Sequence, residues 1–403
     1  MARSLALSAV LGERPVFYSR LLALKGDTVL GWGRKWSGRR AEALAAQHGR
    51  EFRLVEDGFL RSIGRYDPGL SLVLDSTGIY YDASMPSDLE HLAKEGLSEA
   101  EIVRSRALMA VWRSERLSKY NAARDVSGAL PSRYVLVCDQ TFGDASITFG
   151  CADDESFSRM LDAALAEYPE HDVILKKHPD VVTNRKRGHF DIATISENNR
   201  VRIISDPVSP SRLIEHAEAV YTVTSQMGFE ALVWGKRVRC FGMPFYAGWG
   251  LTDDELPAPD RRKKVTLEQL VHGALVKYPR YIDPVIMQRC EPERAFSYVG
   301  LQRRKRLEFP QQIKAFGFSR WKRPFINAFL QGSEVSFDKR SQVGGPGGTS
   351  EAIAIWGSAE FSETSECSAV LRIEDGFLRS SGLGADLVRP LSLVIDDIGI
   401  YYD

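Results

Sequence analysis

The sequence predicts an α/β protein built on parallel sheets. Short apolar segments typical of strands alternate with amphipathic segments typical of helices through most of the chain. This alternation favours parallel sheets that carry helices on both faces. Polar turns, several of them containing glycine, follow many of the predicted strands, and 44% of the residues are hydrophobic, as in ordinary folded proteins. A chain of 403 residues is long enough for two or three domains.

Composition excludes several classes of function. The 53 basic and 53 acidic residues balance, and no basic stripe is interleaved with aromatic residues, so we expect no nucleic-acid partner. The five cysteines are scattered without metal-ligand spacing, which favours reduced, mostly buried thiols in a cytoplasmic protein. Residues 1–10 lack the pattern of a signal peptide, and no apolar run reaches the roughly 20 residues of a membrane span. We expect a soluble protein that can still act at a membrane surface.

Residues 1–130 are predicted to form the first α/β domain. Strands are expected at 28–33, 52–55, 70–75 and 78–82, a short helix at 38–48, and helical structure from Ser87 to about Arg124. Pro131 marks the boundary.

Residues 131–300 are predicted to form the second domain. Strands are expected at 134–138, 173–176, 201–204, 219–223 and 237–241, and helices at 154–168, 210–219, 229–234, 267–278 and 283–296. Residues 301–350, with the glycine-rich stretch 342–350, are predicted to be a linker. The basic run 303–306 within it is either a solvated helix end or a contact for an anionic membrane face.

The stretch from Thr222 to Gly235 organises the second domain. A strand runs into the polar turn Ser225–Gly228 and then into a helix. Free backbone N–H groups at a helix N-terminus, placed at the carboxyl edge of a sheet, bind anionic ligands. A carboxylate at Glu230 would repel phosphate and suits a ribose or a base instead. The alternative is an ordinary crossover that binds nothing.

Three further loops also follow strands, namely 56–58, 139–146 and 176–179. Because the loops after parallel strands converge at one edge of a sheet, two facing sheets would gather all four loops in one cleft. His178-Pro179 after two lysines suits a nucleotide phosphate, or else is a helix-starting proline beside a structurally satisfied histidine.

Carboxylates in these loops have two interpretations each. Asp144 is either a nucleophile or general base, or a residue that caps its own turn. Glu56 and Asp57 either provide a base and bind substrate hydroxyls, or belong to a turn kept for its structure. The aromatic run 245–250 either packs on a base or sugar face or is part of a core and turn.

The tail repeats an earlier part of the chain. Residues 373–380 repeat 55–62, and residues 390–396 and 399–403 repeat 69–75 and 78–82. A long repeat indicates duplicated modules, so residues 351–403 are predicted to be the start of a second module that repeats 30–82. We interpret the chain as a fragment of a two-module protein with at most one active site; a vestigial tail is the alternative.

Several motifs in order resemble one family. They are Glu56-Asp-Gly-Phe-Leu-Arg61, Asp139-Gln-Thr-Phe-Gly-Asp144, Lys177-His-Pro179, Ser225-Gln-Met-Gly-Phe-Glu-Ala-Leu232 and Phe241-Gly-Met-Pro-Phe-Tyr-Ala-Gly-Trp-Gly-Leu-Thr252. Together they are similar to the capsule polysaccharide β-Kdo transferases of the KpsC/LipA type. The resemblance covers roughly residues 30–293, and 353–403 resembles the start of the second module.

The resemblance implies a GT-B glycosyltransferase fold with two facing Rossmann-like domains, the acceptor side formed by 1–130 and the CMP-sugar side by 131–300. It implies a retaining transfer of Kdo from CMP-Kdo to a Kdo-primed lyso-phosphatidylglycerol acceptor during synthesis of the capsule linker. The protein would work in the cytoplasm, peripherally at the inner membrane, in contact with capsule assembly and export machinery. No metal or other cofactor is expected, since no metal-binding Asp-x-Asp pattern is evident.

The resemblance also implies roles for residues. Asp144 would be the nucleophile, with Glu56 and Asp57 lining the Kdo and acceptor cleft as further catalytic residues; His178 and Ser225 would hold the CMP phosphate, and Glu230 the ribose. The full predicted donor-binding set is Lys176, Lys177, His178, Pro179, Ser225, Gln226, Gly228 and Glu230. Other expected cleft residues are Gly58, Arg61, Gln140, Gly143 and Tyr246. The alternatives are a non-catalytic component of capsule assembly or export, and a transferase of a related acidic sugar such as sialic acid.

Overall fold

The computed structural model describes residues 5–16, 18, 26–182, 185–191, 195–338, 351–357, 368–382 and 387–401. The chain forms two compact units, residues 1–300 and residues 301–403. The first unit contains two sheets and the second contains one.

A mixed five-stranded sheet forms one half of the first unit. Its strands are β1 (Thr28–Trp32), β2 (Glu51–Asp57), β3 (Ser71–Asp75), β10 (Pro279–Asp283) and β11 (Gln288–Cys290), adjacent in that order. Strands β1 and β2 are parallel, and every other neighbouring pair is antiparallel.

A fully parallel six-stranded sheet forms the other half. Its strands are β4 (Tyr134–Cys138), β5 (Asp172–Lys176), β6 (Val201–Ile204), β7 (Ala219–Thr222), β8 (Arg237–Cys240) and β9 (Asp253–Asp254), in the order β6-β5-β4-β7-β8-β9. The strand order reverses between β4 and β7. In open α/β sheets the crevice at such a reversal, outside the carboxyl ends of the strands, is where ligands bind.

Helices cover both sheets. They are α1 (Leu5–Leu11), α2 (Trp36–Gln47), α3 (Asp88–Ala93), α4 (Glu99–Ser114), α5 (Ala145–Phe149), α6 (Glu155–Glu167), α7 (Pro179–Val182), α8 (Ser211–His216), α9 (Gln226–Val233), α10 (Leu267–His272) and α11 (Pro292–Leu307). A π-helical turn, Gly273–Lys277, continues α10.

We call residues 26–121 and 267–300 the mixed half, and residues 134–254 the parallel half. One hydrophobic core joins them: the ring of Phe59 lies 4.4 Å from that of Phe245 and 5.9 Å from that of Phe229. The opposite face of the parallel sheet packs on α6 through a second core that includes Val135 and Val137. Apolar residues therefore fill both faces of the parallel strands, as is usual for such sheets.

The second unit is also built on a sheet. Its strands are β12 (Gln312–Phe316), β13 (Glu334–Phe337), β14 (Glu351–Trp356), β15 (Ala369–Asp375) and β16 (Leu393–Asp396), in the order β13-β12-β14-β15-β16, with α12 (Arg323–Phe329) after β12. The prediction of a linker over 301–350 is therefore wrong for its described part, because 312–337 supply two strands and a helix with their own core. The glycine-rich stretch 342–350 lies outside the described residues.

The two copies of the repeated sequence adopt the same local structure. Strands β14 and β15 are parallel and β15 and β16 antiparallel, as are β1, β2 and β3. Arg61 Nε donates to Asp57 Oδ2 at 2.9 Å, and Arg379 Nε donates to Asp375 Oδ2 at 2.6 Å. The recurring sequence thus encodes a strand, a carboxylate turn and a return strand in both places.

Other expectations need correction. Residues 78–82 form a turn rather than a strand, because Gly78 N donates to the Asp75 carboxylate at 2.8 Å and ends β3. The helix expected at 283–296 begins only at Pro292, after β11. Residues 131–300 are not one continuous domain, since β10 pairs with β3 and returns the chain to the mixed half. The basic run is not uniformly solvated either, because Arg303 is buried.

Candidate functional site

Hydrogen bonds join the loops after β4 and β7 at the strand reversal. Gln140 Oε1 accepts from Thr224 N at 2.9 Å, and Gln140 Nε2 donates to Thr224 Oγ1 at 3.0 Å. The Ser146 hydroxyl lies 3.1 Å from the same Thr224 oxygen. Gln140 was expected in the cleft. It is buried, and its amide holds the loops after β4 and β7 together.

Asp144 caps helix α5. Gly143 has a φ of +73°, a conformation that favours glycine, and it turns the chain so that Asp144 Oδ1 accepts from Ser146 N at 3.0 Å. The negative charge of Asp144 also acts on His178 in the same half and on Tyr80 in the mixed half. The turn-capping interpretation is therefore confirmed, and the same carboxylate lies where the two halves meet.

His178 is a neutral hydrogen-bond donor. Burial and, after it, the positive charge of Lys176 lower the pKa of its imidazole to about 4, whereas Asp144 opposes the change. Its Nδ1 accepts from Asp180 N at 3.1 Å. Since neutral imidazole has one donor and one acceptor nitrogen, the proton lies on Nε2. Helix α7 begins at Pro179. His178 therefore lies between the carboxyl end of β5 and the start of this helix.

Two lysines precede this histidine and differ in environment. Lys176 is only 4% exposed, and burial lowers the pKa of its ammonium against the raising effects of Cys138 and Glu230. Lys177 is half-buried, and its charge lowers the pKa of Asp139, which burial raises. The charge of Lys176, the last residue of β5, acts on His178 as expected.

Helix α9 begins at the predicted turn. Ser225 caps it, with Oγ accepting from Met227 N at 3.3 Å. Gln226 Nε2 donates to the carbonyl of Phe59 in the mixed half at 2.7 Å, so its amide ties the halves together. A side chain at Gly228 would collide with Tyr246, whose hydroxyl would lie 2.3 Å from the added carbon.

Tyr246 is fully buried, and its hydroxyl donates to the Ser225 carbonyl. Phe245 and Trp249 are buried as well, so the aromatic run 245–250 is core and turn. The prediction that Tyr246 lines the cleft is therefore wrong, since the ring supports helix α9 from behind.

Glu230 lies beneath the site, at the junction of the halves. Its Oε1 accepts from Ser118 Oγ at 3.0 Å, from Lys119 N at 3.2 Å and from Gln226 Nε2 at 3.2 Å. Burial raises the pKa of this carboxyl to about 7, against the lowering effect of these donors. Contact with a ribose stays a prediction. A bound ribose would have to donate to a carboxylate that already accepts from Ser118 and Lys119 of the mixed half.

Glu56 is the last residue but one of strand β2, and its carboxyl is largely buried. Burial raises the pKa of its carboxyl; the Asp57 backbone N–H and the Lys119 charge lower it. An added side chain at Gly33 would lie 2.8 Å from Glu56 Oε2 and from the Tyr81 hydroxyl. A glycine at this position lets the carboxylate lie directly against the backbone.

Asp57 has a different role from Glu56. It pairs with Arg61 at 2.9 Å, and each side chain of the pair is 21% exposed. Arg61 Nη1 also donates to Ser62 Oγ and to the Arg65 carbonyl, each at 2.9 Å. Gly58 is required because Ser71 Oγ would lie 2.2 Å from an added carbon. Asp57, Gly58 and Arg61 thus build the turn that places Glu56.

Sequence reasoning missed two groups that lie near the carboxylates. Burial raises the pKa of the Tyr80 hydroxyl, and the charges of Glu56, Asp57 and Asp144 raise it further, so Tyr80 lies among all three. Lys119 acts on both Glu56 and Glu230. The repetition of Gly-Ile-Tyr-Tyr-Asp at 399–403 was the available signal for Tyr80; nothing in the sequence marked Lys119.

In the described ranges, no group of three or more His, Cys, Asp or Glu side chains is arranged to hold a metal ion. Among the same residues, no helix is long and apolar enough to cross a membrane. The free thiols at Cys138 and Cys240 are buried as expected, Cys151 is exposed, and Cys367 lies outside the described residues.

The fold and the site define an α/β protein with a junction between two sheets. One side of the junction carries an imidazole donor, nearby cations and the Asp144 carboxylate, and the other side carries Glu56 and Tyr80. Such an arrangement suits an anionic ligand that reacts beside carboxylates.

The chain belongs to the family of capsule polysaccharide biosynthesis proteins, of the KpsC/LipA type. The model of that family matches residues 27–129 and 103–281. The chain is 37% identical over 408 residues to the capsule polysaccharide modification protein LipA of Neisseria meningitidis, covering 94% of this chain and 57% of LipA. It is 40% identical over 259 residues to the lipopolysaccharide-processing protein LpsZ of Rhizobium meliloti, covering 62% and 58% of the two chains. The chain therefore spans a little more than half the length of these relatives.

Two solved structures are also similar. The Thermosulfurimonas dismutans KpsC β-Kdo 2,4 transferase is 37% identical with a TM-score of 0.69, and the match covers 74% of this chain and 94% of that one. The β-Kdo 2,7 transferase of the same KpsC is 31% identical with a TM-score of 0.52, covering 68% and 85%.

Proposed function

We propose that the protein is a retaining β-Kdo glycosyltransferase that moves Kdo from CMP-Kdo to a lipid-linked Kdo acceptor in synthesis of the capsule linker. Family membership and the likeness to the β-Kdo 2,4 transferase support this activity. The observation that carries it is the junction itself, where the charge of Asp144 acts both on His178 in the parallel half and on Tyr80 in the mixed half.

In this proposal the two halves act as the two facing domains of a GT-B enzyme. The parallel half holds the CMP-sugar at the reversal of strand order, and the mixed half holds the acceptor. The second unit, whose β14 to β16 repeat β1 to β3, is the start of a second module of the same kind.

The donor phosphate binds beside His178. The Nε2–H group of His178 and the nearby lysines donate to phosphate oxygens, and the positive end of the α9 dipole attracts the phosphate charge. Because His178 stays neutral, it adds a directed donor without adding charge. The same groups stabilise the negative charge of CMP as it leaves.

Two displacements retain the configuration of the sugar. In the first, the Asp144 carboxylate attacks C2 of Kdo, the bond from C2 to the phosphate oxygen breaks, and CMP leaves with the electron pair. In the second, the acceptor hydroxyl attacks C2, the bond from C2 to Asp144 breaks, and Glu56 takes the hydroxyl proton. The raised pKa of Glu56 suits proton uptake from an alcohol as it attacks.

The remaining assignments follow from the resemblance to the family and are part of the proposal. Glu230 contacts the cytidine ribose, the acceptor carries Kdo on lyso-phosphatidylglycerol, and the chemistry needs no metal. The protein acts in the cytoplasm, peripherally at the inner membrane, beside the capsule assembly and export machinery.

A transfer assay tests the proposal. The protein is incubated with freshly generated CMP-Kdo and a synthetic Kdo-terminated acceptor, with and without EDTA, and the product is identified by mass spectrometry and NMR. We expect a β-linked Kdo product in equal amounts in both arms. Transfer of sialic acid but not Kdo would contradict the donor, and activity lost in EDTA and restored by Mg²⁺ would contradict metal independence.

A further inference from the structure

An arginine of the mixed half contacts the loop that carries His178. The Arg65 guanidinium donates to the Asp180 carboxylate, with Nη2 to Oδ2 at 2.5 Å. The Asp180 side chain is 5% exposed and the Arg65 side chain is 41% exposed, so a partly solvated arginine reaches across the junction to a buried carboxylate. A charge-assisted bond between a guanidinium and a carboxylate is directional, so it fixes the position of the buried Asp180 side chain.

Asp180 is in turn the residue that orients His178. Its backbone N–H donates to His178 Nδ1 at 3.1 Å, which places the imidazole proton on Nε2. The carboxylate that Arg65 holds and the N–H that holds the imidazole belong to the same residue at the start of α7.

Arg65 is itself held in place by the carboxylate turn. Its carbonyl accepts from Arg61 Nη1 at 2.9 Å, and Arg61 pairs with Asp57 next to Glu56. A continuous set of contacts therefore runs from the turn that places Glu56, through Arg65 and Asp180, to His178.

The second copy of the repeat shows which contacts the carboxylate turn itself requires. In the second copy Arg379 donates to Asp375 and to Ser380 Oγ, as Arg61 does to Asp57 and Ser62 Oγ, and Ser380 Oγ donates to the Gly382 carbonyl as Ser62 Oγ does to that of Gly64. Arg379 Nη1 donates in addition to the Val388 carbonyl, whereas Arg61 Nη1 donates to the Arg65 carbonyl. The residue that follows Gly382 in the sequence is Leu383, where the first copy has Arg65. Since these bonds form without an arginine at that place, the turn does not explain Arg65.

We propose that Arg65 is a positioning residue for the phosphate-binding histidine: by holding Asp180 across the junction, it fixes His178 as an Nε2–H donor. This inference rests on the proposed function for the ligand, a cytidine monophosphate group. The charged groups that act on His178 are Lys176, Asp144, Arg65 and Lys186, so loss of Arg65 also removes one of three positive charges around the ring.

The test uses the full chain with Arg65→Leu, the residue of the second copy, and Arg53→Leu as a control. Arg53 is a 37% exposed arginine of β2 that pairs with Glu51. Long-range ¹H–¹⁵N spectra of the imidazoles, assigned with His178→Gln, report the tautomer and titration of His178 without any ligand. Calorimetry with CMP measures the affinity of the phosphate site.

We expect the native chain and Arg53→Leu to show the Nε2–H tautomer and equal CMP affinity. Arg65→Leu should show mixed tautomers, titration of His178 at higher pH, and CMP binding weakened about tenfold. The double variant Arg65→Asp/Asp180→Arg, which restores the pair with reversed charges, should recover the tautomer. An unchanged His178 tautomer in a folded Arg65→Leu chain overturns the inference, whereas absence of CMP binding by the native chain with the tautomer effect intact overturns only the proposed ligand.

Discussion

At the scale of single residues, Glu230 shows how burial and hydrogen bonds compete. Three donors converge on one of its oxygens, yet burial outweighs them and raises the carboxyl pKa to about 7. Because the folded pKa lies above the ordinary value of 4.5, the stability from this carboxyl is fully present below about pH 4.5. It is lost as the pH rises through about 7, when the buried group must ionise.

The variant Glu230→Gln tests this balance. Glutamine keeps an oxygen that accepts from Ser118 and Lys119 but has no charge to bury. We expect the free energy of unfolding of the native chain to fall between pH 5 and pH 8.5 by roughly 2–3 kcal/mol more than that of the variant. Urea unfolding at both values measures the difference, with the exposed Glu170→Gln as control. Equal pH dependence in the native chain and Glu230→Gln would show that Glu230 ionises without penalty.

Residues that make local contacts could be predicted from the sequence, and residues that make distant ones could not. The Gly143-Asp144 turn and the Ser225 cap depend on neighbours two residues away, so their sequence signals are sufficient. Gln226 was expected to bind the donor, but its partner is the carbonyl of Phe59, 167 positions earlier. Tyr246 was expected in the cleft, because the packing of its ring on Gly228 depends on the tertiary fold and leaves no signal in the sequence.

At the scale of elements, periodicity predicted most strands of the parallel sheet within one residue or so. The central strands β4, β5 and β7 are buried on both faces and stand out as short apolar runs. The failures occur where polar side chains end an element. Asp75 accepts from Thr77 N and Gly78 N and prevents a strand at 78–82, although Ile79, Tyr80 and Tyr81 favour one by composition.

The repeated turn offers a matched pair of substitutions. Phe59 is fully buried against Phe245, whereas its counterpart Phe377 is 85% exposed. We expect Phe59→Ala to cost about 3–5 kcal/mol and Phe377→Ala to change stability by less than about 0.5 kcal/mol. Native-state hydrogen exchange at the amides of β2 and β15 measures the two units separately. Similar losses at both positions would mean that Phe377 is covered by structure that these contacts do not show.

At the scale of the whole molecule, the repeat indicates where chemistry is located. Both copies carry the Glu-Asp-Gly turn, and among the described residues the parallel sheet with Asp144 and His178 lies in the same unit as the first copy. The duplication is visible in the sequence. The two strands and the helix within 312–337 were not predicted, since this stretch next to the glycine-rich residues 342–350 was expected to be a linker.

Paired substitutions test this location. Glu56→Gln should lower the rate of Kdo transfer at least about a hundredfold, because a general base typically contributes that much or more. Glu374→Gln, the same change in the second copy, should leave transfer at the native rate. A rate loss in Glu374→Gln, or none in Glu56→Gln, would place the reaction elsewhere.

In the proposed retaining mechanism, Asp144 forms a covalent bond to the transferred sugar. Intact-protein mass spectrometry after incubation with freshly generated CMP-Kdo tests it, comparing the native chain with Asp144→Asn. Asparagine caps helices about as well as aspartate, so the turn before α5 should persist. We predict a mass gain of one Kdo on the native chain and none on the variant. An equal adduct on Asp144→Asn, or neither adduct nor transfer in a folded native chain that binds CMP, would contradict the account.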